Sequence, residues 1–254
     1  MFSNKKRTKL NSILISALSI ITILFLFSVA FLWSEFNNKL NVSQINFSET
    51  NVLDNDIYNM MLSDLIGTNH NKINLSKISK VLESHPYVKA TRVSNIFPGK
   101  IQIEIIEREP IALLNTKPML MLDAEGYVLP NEKTLKNYNL PILTNFNPSL
   151  KLYPSGEKAL SVKVNECIYW INKIRFNYSS LYKNLSEIKI TSTNDMELIL
   201  FDHPTHIYLG NDQLWSRINI LKEFEKELGS KKITDFNYLD IRYDNQIIAK
   251  RRRS

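Results

Sequence analysis

Residue types that support covalent cross-links or chemistry are scarce in this sequence. It has one cysteine, Cys167, so no internal disulfide can form, and only four histidines. Its six glycines are too widely spaced for a phosphate-cradling loop, which argues against nucleotide binding. No Gly-x-Ser-x-Gly turn indicates a serine nucleophile. The sequence therefore predicts no catalytic residue, no cofactor and no metal, and Cys167 is expected to fill the core.

Excess positive charge is confined to the two ends of the chain. The net charge is +7, but four basic residues lie within positions 5–9 and four more within positions 250–253. Between these ends, 24 basic residues face 25 acidic ones. A binding surface for a phosphate backbone would need a basic body, so nucleic-acid binding is not expected. The basic C-terminal run is interpreted as a solvated end, with attraction to anionic lipid as the alternative.

One long stretch carries no charge at all. Lys9 and Glu35 bracket 25 uncharged and mostly apolar positions. As a helix this stretch measures about 37 Å and covers a hydrocarbon core of roughly 30 Å. The basic residues before it predict a cytoplasmic N-terminus and an exported remainder. A cleaved secretory signal is the alternative, but signal cores run only about 7–15 residues. The sequence predicts a single transmembrane helix, in contact with membrane lipid.

The first exported segment alternates between strand and helix patterns. A short strand at 42–47 precedes apolar residues at helical spacing in 53–66 and again in 74–84. A strand at 88–97 and a strand at 100–107 then flank a Pro-Gly turn. The order strand-helix-helix-strand-strand predicts a small α+β domain with both helices on one face of a three-stranded sheet.

The remaining residues predict a second, β-rich domain with a mainly antiparallel sheet and flanking helices. Helical patterns cover 161–185 and the segment from Asp212 to Gly229, and the final strand pattern alternates from Leu239 to Ala249. The pair His203 and His206 lacks any further metal ligands around it and is interpreted as two exposed turn histidines. Shorter strands are predicted at 119–122, 127–129, 186–191, 196–201 and 205–209.

Five short motifs resemble a known family. Residues 85–89 read H-P-Y-V-K, 97–99 read F-P-G, and 107–112 read E-R-E-P-I-A. Farther on, 122–128 read L-D-A-E-G-Y-V and 239–243 read L-D-I-R-Y. In order and spacing these resemble the POTRA domain and the following domain of the bacterial cell-division family FtsQ/DivIB, and the likeness spans nearly the whole chain.

The resemblance implies a non-enzymatic scaffold of the division machinery. It implies that the chain binds the coiled-coil partners FtsB and FtsL outside the inner membrane, at the septum, links early to late division proteins and helps control septal peptidoglycan synthesis. FtsK, FtsW and the septal transpeptidase are further partners it suggests, without pointing to residues. The expected parts are a cytoplasmic tail (1–12), a transmembrane helix (13–34), a POTRA domain (42–111), a β domain (112–250) and a basic C-terminal end (251–254).

The same resemblance implies a partner surface on the last strands. An edge strand also exposes backbone groups that an incoming segment can pair with, and an arginine there can bind a carboxylate. The alternative is that the arginine merely pairs with a neighbouring aspartate. The candidate partner-binding residues are Asp240, Arg242, Tyr243, Asp244 and Asn245.

Two other functions remain open from the residues. A POTRA-containing secretion or outer-membrane assembly factor would normally carry a β-barrel, and no long series of amphipathic strands follows here. A membrane-anchored cell-wall enzyme would need a catalytic cluster in a cleft.

Overall fold

The computed structural model of the chain describes residues 3–36, 41–69, 72–131, 139–244 and 246–252. The chain divides into two compact units. The first comprises Met1–Glu49, Asn55–Val81 and Thr91–Ile105, and the second comprises Thr50–Asp54, Leu82–Ala90 and Ile106–Ser254. The domain limits expected from the sequence follow a different division and stay predictions.

Helix α1, Ser3–Phe36, contains the long apolar stretch. Within it, Leu14–Ser34 has a mean hydropathy of 2.6 and no buried residue, and it is long enough to cross a membrane. The hydroxyls of Ser19, Thr22 and Ser28 donate to carbonyls of the preceding turn at 2.8, 2.8 and 2.9 Å. These three hydroxyls are thus satisfied without water, as a hydrocarbon environment demands. The helix fits a membrane anchor.

A three-stranded sheet with two helices follows, in the predicted order. Strands lie in the order β1-β3-β2, with β1 parallel to β3. The helix expected over 53–66 is shorter, because α2 ends at Met61 and a separate 3₁₀ turn follows at Ser63–Leu65. The elements are β1 Gln44–Phe47, α2 Asn55–Met61, α3 Leu75–Glu83, β2 Val88–Ile96 and β3 Lys100–Glu107.

Alternation along β3 builds the core of this sheet. Ile101, Ile103 and Ile105 are buried, whereas Glu104 and Ile106 between and after them are exposed, as the period of two predicted. The turn before β3 needs a glycine. Gly99 has φ +70°, and a Cβ there would lie 2.5 Å from the carbonyl oxygen of Asn41.

The second sheet has nine strands in the order β12-β11-β10-β9-β8-β7-β4-β5-β6. Five neighbouring pairs are antiparallel and three are parallel, which confirms the mainly antiparallel α+β fold. Its strands are β4 Pro110–Leu114, β5 Leu120–Asp123, β6 Val128–Pro130, β7 Ile142–Thr144, β8 Leu185–Ile190, β9 Met196–Leu200, β10 His206–Gly210, β11 Phe236–Asp240 and β12 Ile248–Arg251. Its helices are α4 Val162–Asn177, α5 Ser179–Lys183 and α6 Leu214–Glu227.

Helices α4 and α6 share one hydrophobic core with this sheet. Cys167 and Ile171 of α4 and Ile218 of α6 are buried with Leu198 of β9 and Leu239 of β11. Cys167 is a core residue, as predicted, and burial raises the pKa of its thiol. A buried thiol with a raised pKa is a poor nucleophile.

The helix predicted over 161–185 is broken in the structure. Ser161 caps α4 by accepting a hydrogen bond from the Val164 backbone N–H, but the helix ends at Asn177. Tyr178 leaves helical geometry with φ −145° and ψ 61°, its ring is buried, and its hydroxyl bonds Glu225. The tertiary contact of the Tyr178 side chain therefore divides the predicted helix into α4 and α5. The spacing of the apolar residues does not reveal this break.

The E-R pair of the 107–112 motif holds two separate parts of the second unit. The carboxylate of Glu107 accepts hydrogen bonds from the backbone N–H groups of Asn51, Val52 and Leu53 at 2.7, 2.8 and 3.0 Å. Charge-assisted bonds of this kind are among the stronger ones in proteins. Glu107 thereby fixes the segment that follows β1.

Arg108 connects this motif to the L-D-A-E-G-Y-V motif. Its guanidinium donates to Asp123 at 2.7 Å and lies 3.5 Å from the ring centre of Tyr127. Asp123 also accepts the backbone N–H groups of Glu125 and Tyr127 at 2.9 and 2.8 Å. The Arg108 and Asp123 side chains are only 10% and 6% exposed. Each motif therefore contributes one residue to the same buried ion pair.

We predict that Arg108→Met lowers the free energy of unfolding by about 3 kcal/mol, because it leaves the Asp123 carboxylate buried without its cation. The matched control is Arg92→Met, whose side chain is 79% exposed and lies 3.9 Å from Glu104. It is expected to leave stability unchanged. Thermal unfolding of the full chain in detergent measures both, and equal effects of the two variants would contradict the assignment.

Candidate partner-binding surface

The predicted last strand is two strands joined by a loop. Alternation suggested one strand from Leu239 to Ala249, but β11 ends at Asp240 and β12 begins at Ile248, where the two residues pair. Arg242, Tyr243 and Asp244 therefore lie in the connecting loop rather than on a strand, and each is exposed. Asp240 is buried at the end of β11. The fifth candidate, Asn245, lies outside the described residues.

Asp240 ends β11 by binding Arg242. Its carboxylate accepts hydrogen bonds from the Arg242 backbone N–H at 3.2 Å, from Nε at 2.9 Å and from Nη2 at 2.6 Å. The hydrogen bond from Arg242 lowers the pKa of Asp240, and the pKa of Arg242 is raised. The pairing considered as an alternative from the sequence is thus present within the chain.

Part of the Arg242 guanidinium still faces outward. Its side chain is 42% exposed, and Nη1 approaches Asp195 only to 3.9 Å, which is too long for a hydrogen bond. The guanidinium carbon lies 5.4 Å from the ring centre of Tyr208 on β10. Arg242 is held in place by Asp240 while Nη1 can bind a further acceptor.

Arg217 on α6 holds the loop between β11 and β12 from its buried side. Its side chain is 9% exposed and forms an ion pair with Asp212 at 2.7 Å. The guanidinium donates to the backbone carbonyl of Leu209, and it also donates to the backbone carbonyl of Arg242 at 3.1 Å. Sequence reasoning missed this residue. The signal was available, because Arg217 falls at helical spacing with the buried Leu214 and Leu221.

Gly210 provides the space that Arg217 occupies. Its φ is +79°, and a Cβ would lie 2.4 Å from Nη1 of Arg217 and 3.4 Å from Cγ of Arg242. Both the backbone conformation and the close approach therefore require glycine at the end of β10.

Strand β12 forms one edge of the nine-stranded sheet. Its four residues, Ile248–Arg251, are all exposed, and the strand pairs with β11 on its inner side. Arg252 secures its end: the backbone N–H donates to Asp235 at 3.1 Å, Nε donates to Thr234 at 3.2 Å and Nη2 donates to Pro204 at 2.8 Å. Lys250 and Arg251 are exposed, as a solvated end predicts, although both belong to β12. The interpretation is wrong for Arg252, which is partly buried and bonded to three backbone carbonyls.

The two histidines occupy different settings. His203 is exposed in the turn after β9, as predicted, whereas His206 lies in β10 with Nδ1 at 2.6 Å from the buried carboxylate of Glu197. In the part of the chain that the structure describes, no three His, Cys, Asp or Glu side chains are grouped so as to hold a metal ion.

Two family models match the chain in sequence order. The POTRA domain of the FtsQ type matches residues 40–108. The model described as FtsQ/DivIB, C-terminal related, matches residues 109–250 and so covers more than half of the chain. The E-R-E-P-I-A motif lies across the junction of the two matches.

Curated relatives carry the same family names. The cell division protein FtsQ of Syntrophotalea carbinolica is 23% identical over 192 residues, covering 75% of this chain and 67% of the relative. FtsQ of Aliivibrio fischeri is 24% identical over 243 residues, covering 94% and 88%. The cell division protein DivIB of Clostridium tetani is 25% identical over 169 residues, covering 66% and 57%.

The matched models, the POTRA order of elements and the nine-stranded sheet agree with the motifs found in the sequence, and the chain belongs to the FtsQ/DivIB family of cell-division proteins.

Proposed function

We propose that this chain is a non-enzymatic scaffold of the division machinery, anchored by α1 with its N-terminus in the cytoplasm and its folded part in the periplasm. It binds FtsB and FtsL at the septum, links early to late division proteins and helps control septal peptidoglycan synthesis. FtsK, FtsW and the septal transpeptidase are further partners. The family membership and the apolar α1 support this proposal, and the positive-inside rule supports the orientation.

The open edge at β12 is the observation that carries the proposal. A strand at the end of a sheet leaves N–H and C=O groups on its outer side for another segment, and natural proteins normally block such edges. β12 lies at the end of the sheet, with four exposed residues and a register fixed by Arg252. An extended segment of FtsB or FtsL that adds a strand there gains backbone hydrogen bonds. The loss of conformational entropy is small, because β12 is already held in place.

The loop before β12 provides the side chains that select the partner. Tyr243 is 52% exposed and offers an aromatic anchor next to the edge. Nη1 of Arg242 is placed to bind a carboxylate of the incoming segment. Asp244 and Asn245 complete the proposed surface, and Asp240 acts through Arg242 by holding its guanidinium.

We predict that Tyr243→Lys weakens binding of the full chain to the extracytoplasmic regions of FtsB and FtsL by about thirtyfold, the size of a typical aromatic anchor. The matched control is Phe201→Lys. Phe201 is 72% exposed and lies just beyond β9, at the end opposite the loop. A titration in detergent with each purified partner region measures both variants.

An unchanged affinity for Tyr243→Lys with a loss for Phe201→Lys would move the site to the other end of the strands. No binding by the unsubstituted chain would contradict the scaffold proposal itself.

We also predict that Gly210→Ala weakens partner binding by about tenfold, because the added methyl group displaces Arg217 and releases the carbonyl of Arg242. Gly229→Ala is the matched control, since Gly229 has φ +62° and nothing within 4 Å of the added Cβ. It costs about 1 kcal/mol of backbone strain but leaves binding unchanged.

Circular dichroism and thermal unfolding report the strain, and the same titration reports binding. A tenfold loss of affinity in both glycine variants would show that general destabilisation, rather than a displaced loop, weakens partner binding.

A further inference from the structure

The outer face of α4 carries an apolar stripe that the described residues leave uncovered. Val162, Tyr169 and Phe176 are 82%, 56% and 76% exposed. They are spaced seven residues apart, which is about two turns of an α-helix, so they lie in a line along the helix. Single exposed apolar residues are normal on a surface, but an aligned set on one helix is typical of a docking surface. We call these three residues the α4 stripe.

The α4 stripe is symmetric about its central residue. Val162 and Phe176 lie seven residues to either side of Tyr169. On one flank, Glu166 precedes Tyr169 by three residues and Lys173 follows it by four. Reversal of the helix direction therefore exchanges Val162 with Phe176, and it exchanges the acid with the base to within one residue.

The flanking charges are held close to the α4 stripe. The Lys173 ammonium lies 4.1 Å from the ring centre of Trp215, a half-buried side chain of α6. Glu166 binds Lys163 on its own helix at 3.0 Å. The Lys173 ammonium also lies 5.7 Å from the ring centre of Tyr169, so this cation stands beside the α4 stripe. Glu166 and Lys173 are seven residues apart, about two helical turns, and so share one flank of the α4 stripe.

We propose that the α4 stripe binds the same stripe of a second copy of this chain, with the two helices antiparallel about a two-fold axis at Tyr169. A two-fold interface brings each surface patch against itself, so residue i meets residue j and residue j meets residue i. In this arrangement Val162 packs against Phe176 of the partner subunit. On the flank, Glu166 faces Lys173 of the partner subunit, and the contact occurs twice.

Self-pairing accounts for the charges better than an unrelated helix would. The stripe carries its own acid three residues before Tyr169 and its own base four residues after it, an offset of one residue or about 1.5 Å along the helix, which is still charge complementarity toward a reversed copy of itself. A partner helix of one charge sign would leave one of the two groups facing a like charge.

One helix pair makes a small interface, at the low end of the range for stable complexes. Anchoring by α1 would restrict both copies to the plane of a membrane, which raises their effective concentration. The α4 stripe shares no residue with β12 or with the loop that precedes it. The inference therefore does not rest on the proposed function, and a dimer leaves the edge strand available.

Cysteine cross-linking of the full chain in lipid vesicles tests the proposal. The native Cys167 is buried, so the unsubstituted chain serves as the background. Tyr169→Cys places one thiol on the axis, and we expect about tenfold more cross-linked dimer than for Ser180→Cys, an exposed position on α5. Mixing Val162→Cys chains with Phe176→Cys chains is expected to give a cross-linked dimer, and each variant alone is expected to give little.

Three outcomes would overturn the inference. If Tyr169→Cys gives no more cross-linked dimer than Ser180→Cys, α4 is not an interface between copies. Cross-linking of Val162→Cys with itself would mean parallel helices and would exclude the two-fold axis at Tyr169. If the folded Phe176→Glu variant still sediments as a dimer, self-association takes place at another surface.

Discussion

The guanidinium of Arg217 connects the elements on which the candidate surface depends. It lies buried between α6, the end of β10 and the loop after β11, and it binds carbonyl groups of the last two. A buried cation is costly unless it is paired, and here Asp212 and two carbonyls satisfy it. Gly210 leaves room for it, and Asp240 then fixes Arg242 on the outer side. The position of the loop, and with it the start of β12, follows from this arrangement.

The sequence predicts those parts of the fold that local periodicity determines. The alternating isoleucines of β3, the apolar face of α6 and the glycine-closed hairpin of β5 and β6 all follow from spacing. The motifs predict the family for a related reason. They lie at turns and strand ends, where the backbone geometry restricts which residues fit. Arg108 and Asp123 show why two distant motifs occur together: each neutralises the other in a buried pair.

The parts that the sequence does not predict depend on contacts between distant residues. The break of the last strand at Asp240 arises from a carboxylate that turns back to Arg242, and the end of α4 arises from the bond between Tyr178 and Glu225. Neither alters the apolar pattern, so alternation from Leu239 to Ala249 reads as one strand. The candidate residues Arg242, Tyr243 and Asp244 lie next to the chain's last strands, but only the structure shows that they occupy a loop rather than a strand.

Hydrogen exchange of the full chain, with and without the extracytoplasmic regions of FtsB and FtsL, tests the central claim most directly. If a partner segment extends the sheet, the backbone amides of Ile248–Arg251 will gain protection, because an added strand takes up the outer hydrogen-bonding groups of β12. Binding that leaves exchange in β12 unchanged, while protecting residues elsewhere, would contradict the account.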